Sequence, residues 1–529
     1  MSNAFTAFSK QYSGRLRNVV QELSSEDIDS FQKDITAPID VAERSDGIQM
    51  KKTELLPDYS RSLSEIDPRQ IFRLTEFRNL ESMKLARLPL DIVARALWEK
   101  DLILAAFNHP LRTKLRSLYK RDASMRIQGS ELDPFAPLGP MNVSPAIAHE
   151  LESGYLHAFE EFTVDMVPGE KVSRRLALAI GCYTTIGRNQ IGIPFGSETM
   201  HTVIGNPTAL ADLLRCHAVA SAPRNGIFSD PKMQAKLLLD TIEILENTNF
   251  LNQRGDREQV IIQWIENMGI VVESDPQKAC ERIEIVLQHL PKNRSIAHVR
   301  IYSVEASDEI VRCAAEIQSR FPHLYIHAGQ ISTVEHALRL EEMGIGSIGI
   351  GIASGSRCST GARSGVPSQN INLLFDLRKH RLTTPIFAET GIPEHALPIA
   401  LASGIRRVNL TGALLGFLSS NGGWYVFEDN SGKFWHPYDG EASEEAKRIE
   451  ERVYSWGMPI MIEGVNGWFQ YGESQKSHPT IPHKLWFLAE SVALTTSFHR
   501  HVFMEDLLFD THVRFSLMSS SMRKQVLPK

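Results

Sequence analysis

Paired cysteines are missing from this chain. Its five, Cys182, Cys216, Cys280, Cys313 and Cys358, stand far apart with no CxxC spacing. That sets aside a disulfide framework and reads as reduced thiols in a cytoplasm, any one of which could serve as a nucleophile. Charge of one sign is missing too. With 57 basic against 63 acidic residues the net charge is −6, which argues against a surface that coats nucleic acid and still allows a local basic pocket for phosphate. No apolar run approaches the roughly 20 residues that span a bilayer, so no membrane association is expected. The opening Met1 to Lys10 lacks a charged start followed by an apolar block, and no secretion signal is expected. Long-period repeats and low-complexity tracts are also wanting.

What is present is soluble globular composition, 42% hydrophobic and 23% charged, spread over 529 residues. That length exceeds one ordinary core and predicts a large domain with an appended piece. The first 60 residues are polar and weakly patterned. From Ser64 to Asp122 the pattern is helical: Leu85 to Trp98 is apolar on one face, and Leu111 to Lys120 is a basic amphipathic stretch that reads as a solvated helix face. Asp133 to Pro145 then packs four prolines into thirteen residues. Proline fixes φ and removes a donor, so the domain boundary is placed there. The expected division is a mostly helical N-terminal extension over 1–150, free to bind a partner, and a main domain over 151–529. Deleting 1–130 is expected to leave that main domain folded.

Beyond the boundary, short apolar runs alternate with amphipathic stretches. The runs are Ala297–Tyr302, Leu324–Gly329, Gly346–Gly351, Thr384–Glu389 and Arg407–Gly412; Thr333–Met343 and Glu394–Ser403 lie between them. Strand and helix at this pitch predict an α/β fold with a parallel sheet, and chemistry on the loops after the strands. One such loop stands out: Gly349-Ile-Gly-Ile-Ala-Ser-Gly-Ser-Arg-Cys-Ser-Thr-Gly-Ala-Arg. Small residues let the backbone turn and approach a ligand, and its free amides suit an anion. Arg357 and Arg363 put positive charge near Cys358, which favours the thiolate. On these residues alone, a catalytic cysteine and an incidental one in a Gly-rich loop are equally good readings.

The segment resembles the catalytic loop of IMP dehydrogenases and GMP reductases, G-x-G-x-G-S-x-C-T-T, with Gly355, Ser356, Cys358 and Thr360 in place and Ala353 at the middle glycine. Further likenesses follow in order. Phe387-Ala-Glu-Thr-Gly-Ile resembles the ribose and phosphate loop A-D-G-G-I, and Val408-Asn-Leu-Thr-Gly-Ala-Leu-Leu-Gly resembles V-M-L-G-S-L-L-A-G. Tyr438-Asp-Gly-Glu-Ala-Ser is similar to the base loop Y-x-G-M-x-S, and Glu463 falls on the base-reading acid. Upstream, Phe162 to Gly169 is similar to the barrel's opening strand, and Pro194 to Val203 to P-x-x-S-A-x-M-D-T-V. The likeness runs from about residue 156 to the C-terminus.

The resemblance implies a TIM (β/α)8 barrel, a purine nucleotide substrate, NADPH or NAD as cofactor and a homotetramer. It implies that Cys358 attacks the purine C2, with Thr360 and Glu463 as the acid–base pair. Ser197, Met200, Ser356, Glu389, Gly391, Thr411, Gly412, Tyr438, Gly440, Glu441 and Ala442 would bind the nucleotide, and Tyr302 and Gln330 the cofactor. The carbonyls of Ala353, Gly355 and Cys358 correspond to a K+ site in many dehydrogenase members; an ordinary loop without an ion accounts for them equally well.

Departures from the family pattern bear on function. Pro223 to Lys292 is too short for the regulatory insert of dehydrogenases, and Gly422 to Lys433 is similar to a reductase segment; both favour GMP reduction over IMP oxidation. Against a plain reductase, Ala222-Pro223 replaces a His-Lys pair, Tyr302 an aspartate, Gln330 an asparagine, Glu389-Thr390 an Asp-Gly and Glu441 a methionine. A modified purine nucleotide as substrate, or a nucleotide-binding protein without redox activity, are the competing readings.

Overall fold

The computed structural model describes residues 183–248, 257–303, 307–352 and 358–415 with few breaks. It also describes parts of 100–117, 162–178 and 427–470, with 480–499 and 515–517. The four-proline segment lies outside the described residues, as do 1–99.

Eight parallel strands close into a barrel: β1 (Phe195–Ser197), β2 (Val219–Ala222), β3 (Met268–Val272), β4 (His298–Tyr302), β5 (Tyr325–Ile331), β6 (Ser347–Ile350), β7 (Ile386–Glu389) and β8 (Ile405–Asn409). Each pairs with its sequence neighbour, and β8 closes on β1 through Val408↔Phe195 and Asn409↔Gly196. Helices follow the strands: α1 (Pro207–Arg215), α2 (Pro231–Glu246), α3 (Pro276–His289), α4 (Asp308–Arg320), α5 (Val334–Glu342), α6 (Asn370–Lys379), α7 (Leu397–Ala402) and α8 (Ile481–Phe498). The expected TIM barrel is therefore present.

Local chemistry starts several of these helices. Asn206, Asp230 and Asp275 stand as N-caps before Pro207, Pro231 and Pro276, and each side chain accepts a first-turn amide at 2.8–2.9 Å. Proline at N1 gives up an amide that has no intrahelical partner, and the cap satisfies one that remains. The apolar faces of strands and helices meet in one continuous core, as expected where βαβ units cover a parallel sheet.

The basic stretch 111–120 is not a solvated face. Arg112 and Arg116 are 1% and 3% exposed, because both reach under the barrel at the N-terminal ends of its strands. Arg116 donates to the Ile191 carbonyl at 2.7 and 3.1 Å and contacts His217 Nδ1 at 2.8 Å. Arg112 donates to the Ala106 and Leu178 carbonyls and lies 5.3–5.7 Å from the rings of Phe107, Tyr183 and Trp486. Leu104 and Phe107, in the helical residues 100–107, belong to the barrel's own core. Sequence patterning could not show this, since a basic amphipathic helix looks the same over water as over buried main-chain carbonyls.

Candidate functional site

The C-terminal ends of the strands gather most of the residues singled out by sequence. Ser197 and Met200 follow β1, Tyr302 ends β4, and Gln330 lies near the end of β5. Glu389 ends β7 with Gly391 beyond it, and Thr411 and Gly412 follow β8. A Cβ built at Gly412 meets nothing within 4 Å, so the backbone there faces open space.

Cys358 follows β6 and is exposed, whereas Cys216, Cys280 and Cys313 are buried. Burial pushes those three thiols up in pKa, away from the nucleophilic form. Cys358 also forms an isolated antiparallel bridge with Gly464. Gly464 in turn donates its amide to the Ala442 carbonyl at 2.9 Å, and Gly440 donates to Val465 at 3.1 Å. Strand Phe434–Asp439 continues the pairing with Asn466–Gln470, setting Tyr438 opposite Gly467. Three segments thus cross at Gly464, where an added Cβ would stand 2.3 Å from the Ser443 nitrogen; only glycine fits. Thr360, half-buried, opens the short helix Thr360–Ser364 two residues past the thiol. Ser356, Glu463, Ala353 and Gly355, expected as phosphate, acid–base and K+ residues, lie outside the described residues.

On the opposite side of the mouth, Arg224 donates to Glu441 Oε1 at 3.2 Å and to the Tyr302 carbonyl at 3.4 Å, with its guanidinium 5.9 Å from the Tyr302 ring centroid. The Arg300 guanidinium lies 5.4 Å from the same ring. Burial, with Glu441 and Glu389 nearby, pushes the Tyr302 phenol well above its usual range. It remains a neutral donor. Gln330 is buried, and its Oε1 accepts no hydrogen bond among the described residues. A buried acceptor and a neutral phenol can each hydrogen-bond a ligand hydroxyl.

Beneath the mouth, the barrel interior is charged, which sequence reading missed. Glu198 accepts from Arg407 at 2.7 Å, Asn409 at 2.8 Å and Ser221 at 3.0 Å, with His298 at 3.4 Å. Glu389 accepts from Arg300 at 2.6 and 3.1 Å and from Asn409 at 3.1 Å. The Phe387 ring lies 4.3 Å from the Arg407 guanidinium and 4.7 Å from that of Arg300. Burial alone would raise the Glu198 pKa; Arg407 and the imidazoles hold it well below the usual carboxylate range. Burial lowers His298 and His327, the neighbouring guanidiniums lowering them further. The available signal was a polar residue at every second position of an otherwise apolar strand, as in His298-Val-Arg300-Ile-Tyr302. Alternate residues line one face, and in a closed barrel that face is inside.

Residues 297–485, from β4 into α8, match the family described as the IMP dehydrogenase / GMP reductase domain. That stretch of the chain is similar to the family's domain. Among curated relatives, a GMP reductase of Chromobacterium violaceum is 31% identical over 153 residues, covering 29% of this chain and 46% of the relative. An inosine-5'-monophosphate dehydrogenase of Bacillus subtilis is 28% identical over 166 residues, covering 30% and 34%. One of Halalkalibacterium halodurans is 28% identical over 160, covering 29% and 33%. The chain thus spans less than half the length of these relatives. The matched residues hold Cys358, Gly464 and the last five barrel strands.

Proposed function

We propose that the protein is a purine-nucleotide oxidoreductase working through a covalent bond to Cys358, with GMP reduction by NADPH as the favoured reaction. The observation that carries this reading is the Cys358–Gly464 bridge. It pairs the main chain of Cys358 with the residue after Glu463 and, through Ala442, with the loop assigned to the base. The similarity to GMP reductase and inosine-5'-monophosphate dehydrogenases supports the same chemistry without separating the two directions.

In this reading the Cys358 thiolate adds to C2 of guanine, and the 2-amino group takes a proton and leaves as ammonia. Glu463 relays protons through the Thr360 hydroxyl. The amides of Ser356, Gly391 and Gly412 take the 5'-phosphate, Glu389 the ribose, and Tyr438 to Ala442 the base. Tyr302 and Gln330 would hold a nicotinamide ribose by hydroxyl and amide bonds; when bound, that cofactor supplies the hydride at C2. Cleavage of the C–S bond then returns the thiolate and releases IMP. Cytoplasmic residence and a homotetramer belong to the same proposal.

A second reading is a nucleotide-binding protein without redox turnover. It is favoured by the Arg224–Glu441 ion pair, which runs from the segment after β2 to the Tyr438–Ala442 loop beside the Tyr302 ring, where a cofactor would enter. Incubation with GMP or IMP, with and without NADPH or NAD, followed by intact mass, separates the two. A nucleotide adduct that vanishes in Cys358→Ala supports the enzyme. That variant should lose turnover below detection while binding nucleotide within about tenfold of the parent. Full activity in Cys358→Ala overturns the covalent mechanism, and binding without adduct or turnover in the parent supports the second reading.

A further inference from the structure

We propose that Arg300, on the inner face of β4, is the positioning residue of this site, holding Glu389 for the nucleotide and the Tyr302 ring for the cofactor. The inference rests on the function proposed above and names a residue that neither the resemblance nor the comparisons single out.

The guanidinium is fully buried, and its donors are placed on both sides of the mouth. Nε and Nη2 bond Glu389 Oε1 at 3.1 and 2.6 Å, while Nη1 bonds the Gly329 carbonyl at 3.0 Å and the Ile301 carbonyl. Gly329 directly precedes Gln330, so one rigid fork touches the ribose carboxylate on β7, the backbone that carries Gln330 on β5, and Tyr302 on its own strand. Room for the fork is built in. A Cβ at Gly349 on β6 would stand 3.2 Å from Arg300 Nη2 and 2.6 Å from the Phe387 ring.

The fork also accounts for a departure in sequence. Where the family pattern has aspartate, Glu389 is one methylene longer, and that length carries its oxygen back into the barrel to Arg300. Asn409 Nδ2 fixes the same oxygen from β8 while donating to Glu198. Arg300 balances Glu389, so the carboxylate assigned to the nucleotide is held by a buried ion pair rather than by solvent. Arg407 shares the burial and the Phe387 ring, yet its side-chain hydrogen bond goes to Glu198 at 2.7 Å. It is the internal control.

The test uses the full chain with GMP and NADPH as probes, titrated well below the melting temperature of every variant, NADPH with GMP saturating. Arg300→Lys keeps the charge and loses the fork; we expect both dissociation constants to rise about tenfold or more. Arg407→Lys should lower the melting temperature and leave both constants within about twofold. Glu389→Asp keeps the carboxylate and withdraws it from Arg300, so GMP affinity should fall about tenfold. A site needing only a carboxylate would instead keep or gain affinity with the aspartate. Parental affinities in Arg300→Lys, equal losses in Arg407→Lys, or unchanged GMP binding in Glu389→Asp would each overturn the proposal. Should Arg300→Lys fail to fold, Glu389→Asp decides. If the parent binds neither GMP nor IMP, the proposed function falls and this inference with it; if the parent binds and only the variants disagree, this inference alone falls.

Discussion

Arginine is used in opposite ways at the floor of the barrel and in its interior. At the floor, Arg112, Arg116 and Arg188 point their guanidiniums at main-chain carbonyls: Ala106 and Leu178, Ile191, and Ile345. They satisfy main-chain acceptors of helix and strand residues around the bottom of the barrel. In the interior, Arg300 and Arg407 meet carboxylates at 2.6 and 2.7 Å. The floor is a hydrogen-bonding solution to a packing problem. The interior is a balanced set of charges whose members cannot be removed singly, because each deletion leaves a partner charged and buried.

The comparison can be broken most severely at the floor, by taking the whole segment away. Residues 100–117 supply Leu104 and Phe107 to the core, each worth about 1.5–3 kcal/mol when buried, together with the Arg112 and Arg116 bonds. Deleting 1–117 is therefore expected to give insoluble or molten protein, whereas deleting 1–95 should preserve a cooperative melt. This replaces the expectation from sequence that residues up to 130 are dispensable. A cooperative near-parental transition in the longer deletion would show that the floor is not part of the core.

Single substitutions sharpen the contrast. Arg407→Met strands Glu198 in the interior and should cost about 3–5 kcal/mol. Arg116→Met leaves the Ile191 carbonyl and His217 Nδ1 without their partner, but no fully buried charge, and should cost about 1–3 kcal/mol. Urea unfolding of both variants checks the order, and equal losses would dissolve the distinction.

Acid acts on both regions through their imidazoles. Burial pushes His201, after β1, down to about 4, and lowers His217 at the floor and His298 and His327 in the interior. Such groups are neutral when folded and bind protons when unfolded. Their contribution is fully present above about pH 6.5 and is lost as pH falls toward the folded value. His201 alone should cost about 2 kcal/mol between pH 7.5 and 5. Thermal melts across that interval should fall steadily, and a flat profile would remove the burial argument.

The smallest expected change concerns the cofactor side. Tyr302→Asp puts a carboxylate between Arg224 and Arg300, at the position where the family pattern has aspartate. NADPH affinity, read by fluorescence with GMP saturating, should tighten about tenfold, or about 1.4 kcal/mol. Tight parental binding that weakens on this change would mark the tyrosine as an adapted contact.

Sequence by itself determined the barrel's alternation of strand and helix, because apolar runs and amphipathic stretches follow local periodicity. It also determined which residues lie at strand ends, since Cys358, Glu389 and Thr411 follow such runs in the chain. Nothing local could decide what those residues meet. That Gly464 seats against Cys358, that Glu389 turns inward to Arg300, and that Arg116 sits beneath β2 rather than in water depend on closing eight strands into a ring. Closure brings residues dozens or hundreds of positions apart within hydrogen-bond reach, and it removes them from solvent, which decides whether a charge is a surface group or a structural partner.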